Sequence, residues 1–195
     1  MLSAAGPRTL VLNGSPHSAG NTMALARLFL DSLPGDCETL SAYDSAVSPC
    51  TACGRCAVDG CCVIDDSMPR VWEKIALADC IVIASPLHFT SLTAPLVALI
   101  SRWQSFWELR RLGGRGPLGD KRRFGVVVAT GGSDYPNMFE CARRVSLAGF
   151  ATLGVEFCGM LSASGLDMPD GRFPAATHRE AETLAETVFS RWREA

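Results

Sequence analysis

Five of the nine cysteines fall between Cys50 and Cys62, as Cys50-x2-Cys53-x2-Cys56 with Cys61 and Cys62 close behind. Thiols clustered this tightly point to metal or redox chemistry rather than packing. A tight loop with that spacing wraps three thiolates around one face of an iron–sulfur cubane, and a fourth thiolate closes it. Two other chemistries stay open. A four-cysteine zinc site usually separates two C-x2-C pairs by a longer loop, and low-pKa thiols on an open loop serve redox sensing without a metal. The isolated Cys37, Cys80, Cys141 and Cys158 sit in apolar or helical settings and are expected to be buried small hydrophobes.

A second group lies at Leu10 to Thr22, LVLNGSPHSAGNT. An apolar run meets Asn13-Gly14, opens into small polar residues, and from Thr22 takes up helical spacing. At such a strand-to-helix junction the first-turn N–H groups have no intrahelical partner and the helix dipole adds positive charge, so an anion is favoured. The loop has no G-x-G-x-x-G, and it is not a Walker A loop because the first lysine is Lys74. It offers the hydroxyls of Ser15, Ser18 and Thr22, the Asn21 amide, and His17 as its one possible cation. Those donors suit a terminal phosphate monoester. A plain N-capped turn at Asn21 or Thr22 is the competing reading.

The elements that must position these groups follow from apolar spacing. Thr9 to Leu12 reads as a first strand, Thr22 to Leu33 as an amphipathic helix ended by Pro34-Gly35, and Cys37 to Leu40 as a short second strand. Residues 42–67 carry no helical or alternating period, an unusual length for a connection in a compact domain. Met68 to Ala78 reads as a helix, and Cys80 to Ala84 and Phe124 to Ala129 as strands buried on both faces. One helix is expected from Thr93 through Trp107, others over Asn137 to Ala148 and Thr177 to Trp192, and a last strand over Val155 to Met160. Strands alternating with helices imply a parallel sheet with right-handed crossovers. Ligands of such sheets sit outside the carboxyl ends of the strands. Three of those ends carry small or special residues: Asn13-Gly14-Ser15, Ser85-Pro86 and Thr130-Gly131-Gly132.

GSP-x-x-x-GNT between strand and helix resembles the phosphate loop of the flavodoxin-like NAD(P)H-dependent FMN reductases, with His17 where that family often has Arg or Lys. Ser85 to Phe89 (SPLHF) resembles the family segment that meets the isoalloxazine ring, with His88 in place of the usual tyrosine. Thr130 to Ser133 resembles its TGG turn, whose amides bond the pyrimidine edge. The cysteine segment resembles that of the iron–sulfur flavoproteins, a branch of the same family: C-x2-C-x2-C-x5-C puts Cys62 in register, followed by Val63, Ile64, Asp65 and Asp66. The resemblance implies an α/β three-layer sandwich with a five-stranded parallel sheet in the order 2-1-3-4-5. It implies FMN held by Ser15, His17, Ser18, Asn21, Thr22, Pro86, Leu87, His88, Phe89, Thr130, Gly131, Gly132 and Ser133. It further implies a [4Fe–4S] cluster on Cys50, Cys53, Cys56 and Cys62, with Cys61 as alternate, and NAD(P)H as co-substrate. His88 is the one candidate for moving a proton at the flavin or its acceptor.

With 195 residues, 48% of them hydrophobic, and a net charge of −2, residues 1–195 read as one domain carrying a cysteine-rich insertion at about 48–66. The near-neutral charge gives no reason to expect nucleic acid or an anionic membrane as partner. No apolar run is long enough to span a bilayer and no signal peptide is visible, so a cytoplasmic protein is expected. Arg110, Arg111, Arg115, Lys121, Arg122 and Arg123 form a basic loop that is either solvated or a contact for the 2′-phosphate of NADPH. Trp103, Phe106 and Trp107 are either core or a subunit contact in a dimer or tetramer. The expected function is that of an FMN-dependent oxidoreductase passing electrons to or from a small molecule or redox protein. The alternatives are a non-catalytic electron carrier, and a cysteine-rich metal-binding or thiol-sensing module on a flavodoxin scaffold.

Overall fold

A strand covered on both faces must be apolar at every position, whereas an edge strand need not be. The computed structural model describes residues 6–114, 118–166 and 173–195 and follows that rule. In chain order the elements are β1 Thr9–Asn13, α1 Asn21–Ser32, β2 Cys37–Ser41, α2 Cys56–Asp59, α3 Met68–Leu77, β3 Cys80–Pro86, α4 Ala94–Ser101, α5 Gln104–Arg111, β4 Arg123–Thr130, α6 Glu140–Leu153, β5 Val155–Ala163 and α7 Ala175–Arg193. The five strands pair in parallel in the order β2-β1-β3-β4-β5. This is the order that the family resemblance implies, and it is the flavodoxin-like one.

Strand alternation divides the core in two. Leu10, Leu12, Ile81, Ile83 and Val127 face α3, α4, α5 and α6, where Ile75, Leu96, Leu99, Trp103 and Phe150 are buried. Val11, Val82, Ala84, Val126 and Val128 face α1 and α7 and pack on Phe29, Ala181, Ala185 and Val188. Val11 pairs with Val82, which pairs in turn with Val126, so one β-branched row crosses the centre of the sheet.

Four expectations are corrected. The helix expected from Thr93 through Trp107 is two helices, α4 and α5, because i→i+3 bonds form at the junction: Arg102 N–H donates to Leu99 C=O (3.1 Å) and Trp103 N–H to Ile100 C=O (3.0 Å). Trp103 and Phe106 are buried, while Trp107 is partly exposed. Helix α6 starts later than expected because Asn137 has φ +61°, and it runs on to Leu153, where Gly154 at φ +68° caps it. The segment 42–67 contains the short helix α2, which four residues are too few to announce by periodicity. Of the isolated cysteines, Cys80 is buried, but Cys37 and Cys141 are exposed and Cys158 is half-buried. Cys37 opens an edge strand, and Cys158 is the extra residue of a bulge in β5, where Gly125 and Val126 face Phe157 and Gly159.

Trp103, among the largest fully buried side chains, lies against Gly149 of α6, where an added Cβ would stand 2.6 Å and 3.0 Å from two ring carbons. Gly149→Ala gains helix propensity of about 1 kcal/mol, but overpacking against an immobile ring costs roughly 1–3 kcal/mol. The expected outcome is a net loss of stability, read as a lower urea midpoint at unchanged m-value.

Candidate functional site

The loop after β1 is built from its own polar groups. Asn13 Oδ1 accepts from Ser15 N–H (2.8 Å), and Ser15 Oγ accepts from His17 N–H (3.1 Å) while donating to His17 C=O (3.1 Å). These bonds turn the chain back onto α1, whose N-cap is Gly20 with no side-chain cap bond. The first-turn N–H groups of α1 are therefore left for an anion. His17 and Ser18 are exposed and Ser15 is buried. Asn21 Nδ2 donates to the Leu166 carbonyl (3.3 Å), and Thr22 shares a 2.6 Å hydroxyl–hydroxyl bond with Thr130.

Three strand ends are stitched into one wall. Thr93 Oγ1 donates to Gly14 C=O (2.7 Å), Thr93 N–H donates to Ser85 Oγ (3.1 Å), and Gly14 N–H donates to Ala84 C=O (2.7 Å). A Cβ on Gly14 would stand 2.7 Å from Leu96 Cδ2 and 2.8 Å from Thr93 Oγ1, so only glycine lets β1 meet the start of α4 this closely. Leu87 N–H donates to Thr130 C=O (2.7 Å), and the Gly131 carbonyl accepts from Leu166 N–H (3.3 Å). His88 and Ser91 exchange backbone bonds around Phe89 and Thr90, which have φ +50° and +65°. That turn leaves the Phe89 ring wholly exposed.

The result is a cavity of about 310 Å³ at the carboxyl ends of the strands, lined by Ser15, Pro16, His17, Gly20, Asn21, Thr22, Pro86, Leu87, His88, Thr130, Gly131, Gly132 and Leu166. Of the residues that the resemblance implies for the cofactor, Ser18, Phe89 and Ser133 lie off this lining and the others are brought together on it. Leu166 was not foreseen. It follows β5 with no motif of its own, and its backbone is tied to the site by bonds to Asn21 and Gly131.

The cysteine segment forms a second site. Cys50, Cys53, Cys56 and Cys62 all line one cavity of about 490 Å³, together with Ser101, Arg102, Ser105 and Glu108. Cys61 lines a neighbouring apolar cavity of about 340 Å³ with Met68, Trp72 and Phe106. Among the described residues, no three Cys, His, Asp or Glu side chains converge as ligands of a single ion would. A cubane makes a different demand, one thiolate at each of four separate irons, and four thiols around one cavity match it in number and type. Burial pushes the Cys56 thiol up, and nearby Glu108 pushes it further. Loading a metal centre there would therefore release protons.

Asp66 and Arg102 hold this segment shut. Their side chains are 6% and 2% exposed and form an ion pair. Asp66 Oδ2 also accepts from Ser48 N–H (2.9 Å), and Oδ1 accepts from Met68 N–H (2.9 Å) at the start of α3. Arg102 Nη1 donates to Ser48 C=O (3.0 Å) and Nη2 to Cys62 Sγ (3.3 Å). Cys50 N–H donates to Ser101 Oγ (2.9 Å). Burial pushes the Asp66 carboxyl up, but the Met68 and Ser48 amides and the Arg102 guanidinium together hold it below the usual carboxylate range.

The basic loop is engaged within the protein. Arg123 is buried and donates to the carbonyls of Ile75, Ala76, Leu118 and Lys121, closing the end of α3. Arg111 pairs with Glu108, Lys121 with Asp79 and Arg122 with Glu156, and Arg110 donates to Thr152 C=O. Arg115 lies outside the described residues.

Against known proteins, residues 7–141 match the family model described as NADPH-dependent FMN reductase. An iron–sulfur flavoprotein of Methanocaldococcus jannaschii is 30% identical over 125 residues, which cover 60% of this chain and 65% of the relative. An iron–sulfur flavoprotein of Methanosarcina thermophila is 31% identical over 125 residues, covering 63% of this chain and 62% of the relative. The chain thus spans less than two thirds of the length of either. The solved NAD(P)H:quinone oxidoreductase of Methanothermobacter marburgensis superposes with a TM-score of 0.66 at 16% identity, covering 94% of this chain and 96% of that one. That likeness shows the shared fold.

Two expected outcomes follow from these contacts. Thr93→Val leaves the Gly14 carbonyl without its buried donor and should lower stability by about 1–2 kcal/mol in urea unfolding. The Asp66 pKa is lower in the folded than in the unfolded chain, so its contribution is complete above about pH 4, the unfolded value, and is lost as pH falls through the folded one. Asp66→Asn should therefore flatten the acid limb of stability against pH, and it should cost roughly 3 kcal/mol near neutrality because it strands a buried guanidinium.

Proposed function

The chain belongs to the NADPH-dependent FMN reductase family, and from that premise we propose that it binds FMN non-covalently and works as an FMN-dependent oxidoreductase. NAD(P)H is the proposed co-substrate, and a [4Fe–4S] cluster on Cys50, Cys53, Cys56 and Cys62 the proposed second centre. The observation that carries the flavin reading is the single cavity where the phosphate-type loop, the SPLH segment and the TGG turn meet.

FMN, when bound, supplies the hydride chemistry, and the chain supplies binding and exclusion of water. The uncapped first turn of α1 takes the phosphate, with the Asn21 amide and the His17 ring as side-chain donors. The Ser15 hydroxyl shapes the loop, being already bonded to His17 at both its donor and its acceptor side. Thr22 ties the phosphate loop to Thr130, fixing the distance between the phosphate end and the ring end of the cavity. Pro86 and Leu87 give one apolar wall, and Gly131 and Gly132 let backbone approach a planar ring. His88 stands exposed at the rim, where its ring is free to hand a proton to solvent or to an acceptor.

The cluster reading rests on four thiols of the right number and type around one cavity. A cluster there would accept and give single electrons, coupling the two-electron flavin to one-electron partners. The 48–66 segment, closed at its base by Ser48, Asp66 and Arg102, acts in this reading as the insertion that carries the second centre on a single flavodoxin-like domain.

Anaerobic purification followed by a visible spectrum, with iron and acid-labile sulfide assayed on the same sample, tests both cofactors. The expected result is flavin bands over broad iron–sulfur absorption with about four irons per chain. Flavin without iron after reconstitution would remove the cluster and leave the reductase. A colourless protein that takes up no added FMN would overturn the proposal. NADPH oxidation by the purified protein separates an enzyme from a pure electron carrier, which shows none without its reductase.

A further inference from the structure

Among the described residues, Arg102 is the one cation in the wall of the cysteine cavity, and its side chain is almost wholly withdrawn from water. It caps the end of α4, and its guanidinium spans from the base of the segment to a thiol: Nη1 reaches Ser48 C=O and Asp66, and Nη2 reaches Cys62 Sγ. Its Nε–H is buried with no acceptor among the described residues. A buried donor left unpaired costs about 1–3 kcal/mol, so the guanidinium is held in place by its bonds to Ser48, Asp66 and Cys62, the last of which couples its charge to the thiol set.

We infer that Arg102 is a positioning residue that fixes the Cys62 thiolate and raises the reduction potential of the centre bound by the four thiolates. The inference rests on the cluster reading of that cavity. Its physical basis is that adding an electron makes the centre more negative, and a cation bonded to a ligating sulfur in a site of low dielectric stabilises the more negative state. Asp66 opposes this, because its carboxylate sits on the same guanidinium and offsets part of its charge. The pair therefore acts as a poise: Arg102 pulls the potential up and Asp66 pulls it down. Glu108, which lines the same cavity and is paired with Arg111, adds to the downward side.

The two partners give opposite signs, which a purely structural role cannot do. The wild type, Arg102→Gln and Asp66→Asn are purified anaerobically and reconstituted with iron and sulfide. Iron and sulfide are counted, and each protein is then titrated with dithionite as the one-electron donor while the reduced centre is followed by electron paramagnetic resonance. At a fixed potential, Arg102→Gln should have a reduced-to-oxidised ratio at least tenfold lower, a downward shift of about 59 mV or more for a one-electron couple. Asp66→Asn should move the ratio upward. Loaded variants that titrate together with the wild type, or that both shift the same way, overturn the inference and leave the cluster reading standing. A wild type that holds no iron after reconstitution overturns the cluster reading and the inference with it. If one variant fails to load, the sign of the other decides.

Discussion

Five strands running the same way deliver every strand's carboxyl end to one edge of the sheet, and the rest of the structure follows from that constraint. A parallel sheet needs crossover connections, the crossovers are helices, and both faces are thereby covered. The central strands must then be apolar throughout, as Leu10 to Leu12, Ile81 to Ala84 and Val126 to Ala129 are. Polar side chains have almost no place in such a core except where strands end. That is where Asn13, Ser85, Thr93 and Thr130 are buried and mutually bonded or bonded to loop backbone. The candidate flavin cavity is thus less an addition to the fold than the place where its backbone polarity is concentrated.

The sheet and most helices were legible in the sequence because burial on two faces leaves uninterrupted apolar runs, and the crossovers leave helical spacing between them. The strand-end loops were legible for a related reason: glycine, serine and proline at three successive strand ends announce close backbone approach. Less legible were features decided by contacts distant in sequence. Nothing in Leu96 to Trp107 marks a break between α4 and α5, since Arg102 and Trp103 are both tolerable helix residues. The break serves Trp103 against Gly149 and Arg102 against Asp66, contacts that no periodicity contains. The exposure of Cys37 and the half-burial of Cys158 escaped for a similar reason. An edge position and a bulge are properties of strand pairing, and a cysteine looks the same in either setting.

In the cysteine segment the spacing marked out the thiols but contained nothing of the architecture around them. The resemblance implied Cys50, Cys53, Cys56 and Cys62 as a set, and those four line one cavity, while Cys61 lines a neighbouring one that Cys62 also borders. What spacing could not contain is the closure of the segment. Residues 48 and 66 meet because one carboxylate accepts from two backbone amides and one guanidinium, three donors that come from different parts of the chain. Asp66 is visible in the sequence only as the second of two aspartates after Cys62, and Arg102 as one arginine in an aromatic stripe.

Helix α4 links the two sites through its own caps. Thr93, at its beginning, holds Gly14 beside the phosphate-type loop, while Ser101 and Arg102, at its end, hold Cys50 and Cys62. A helix is stiff over so short a span, and each residue advances it about 1.5 Å and turns it about 100°. The eight residues of α4 therefore act as a ruler with a fixed phase. Inserting or deleting one residue would leave the helix intact yet swing the guanidinium away from its thiol. The count of residues between Thr93 and Arg102 is accordingly as much a part of both sites as any side chain that lines them.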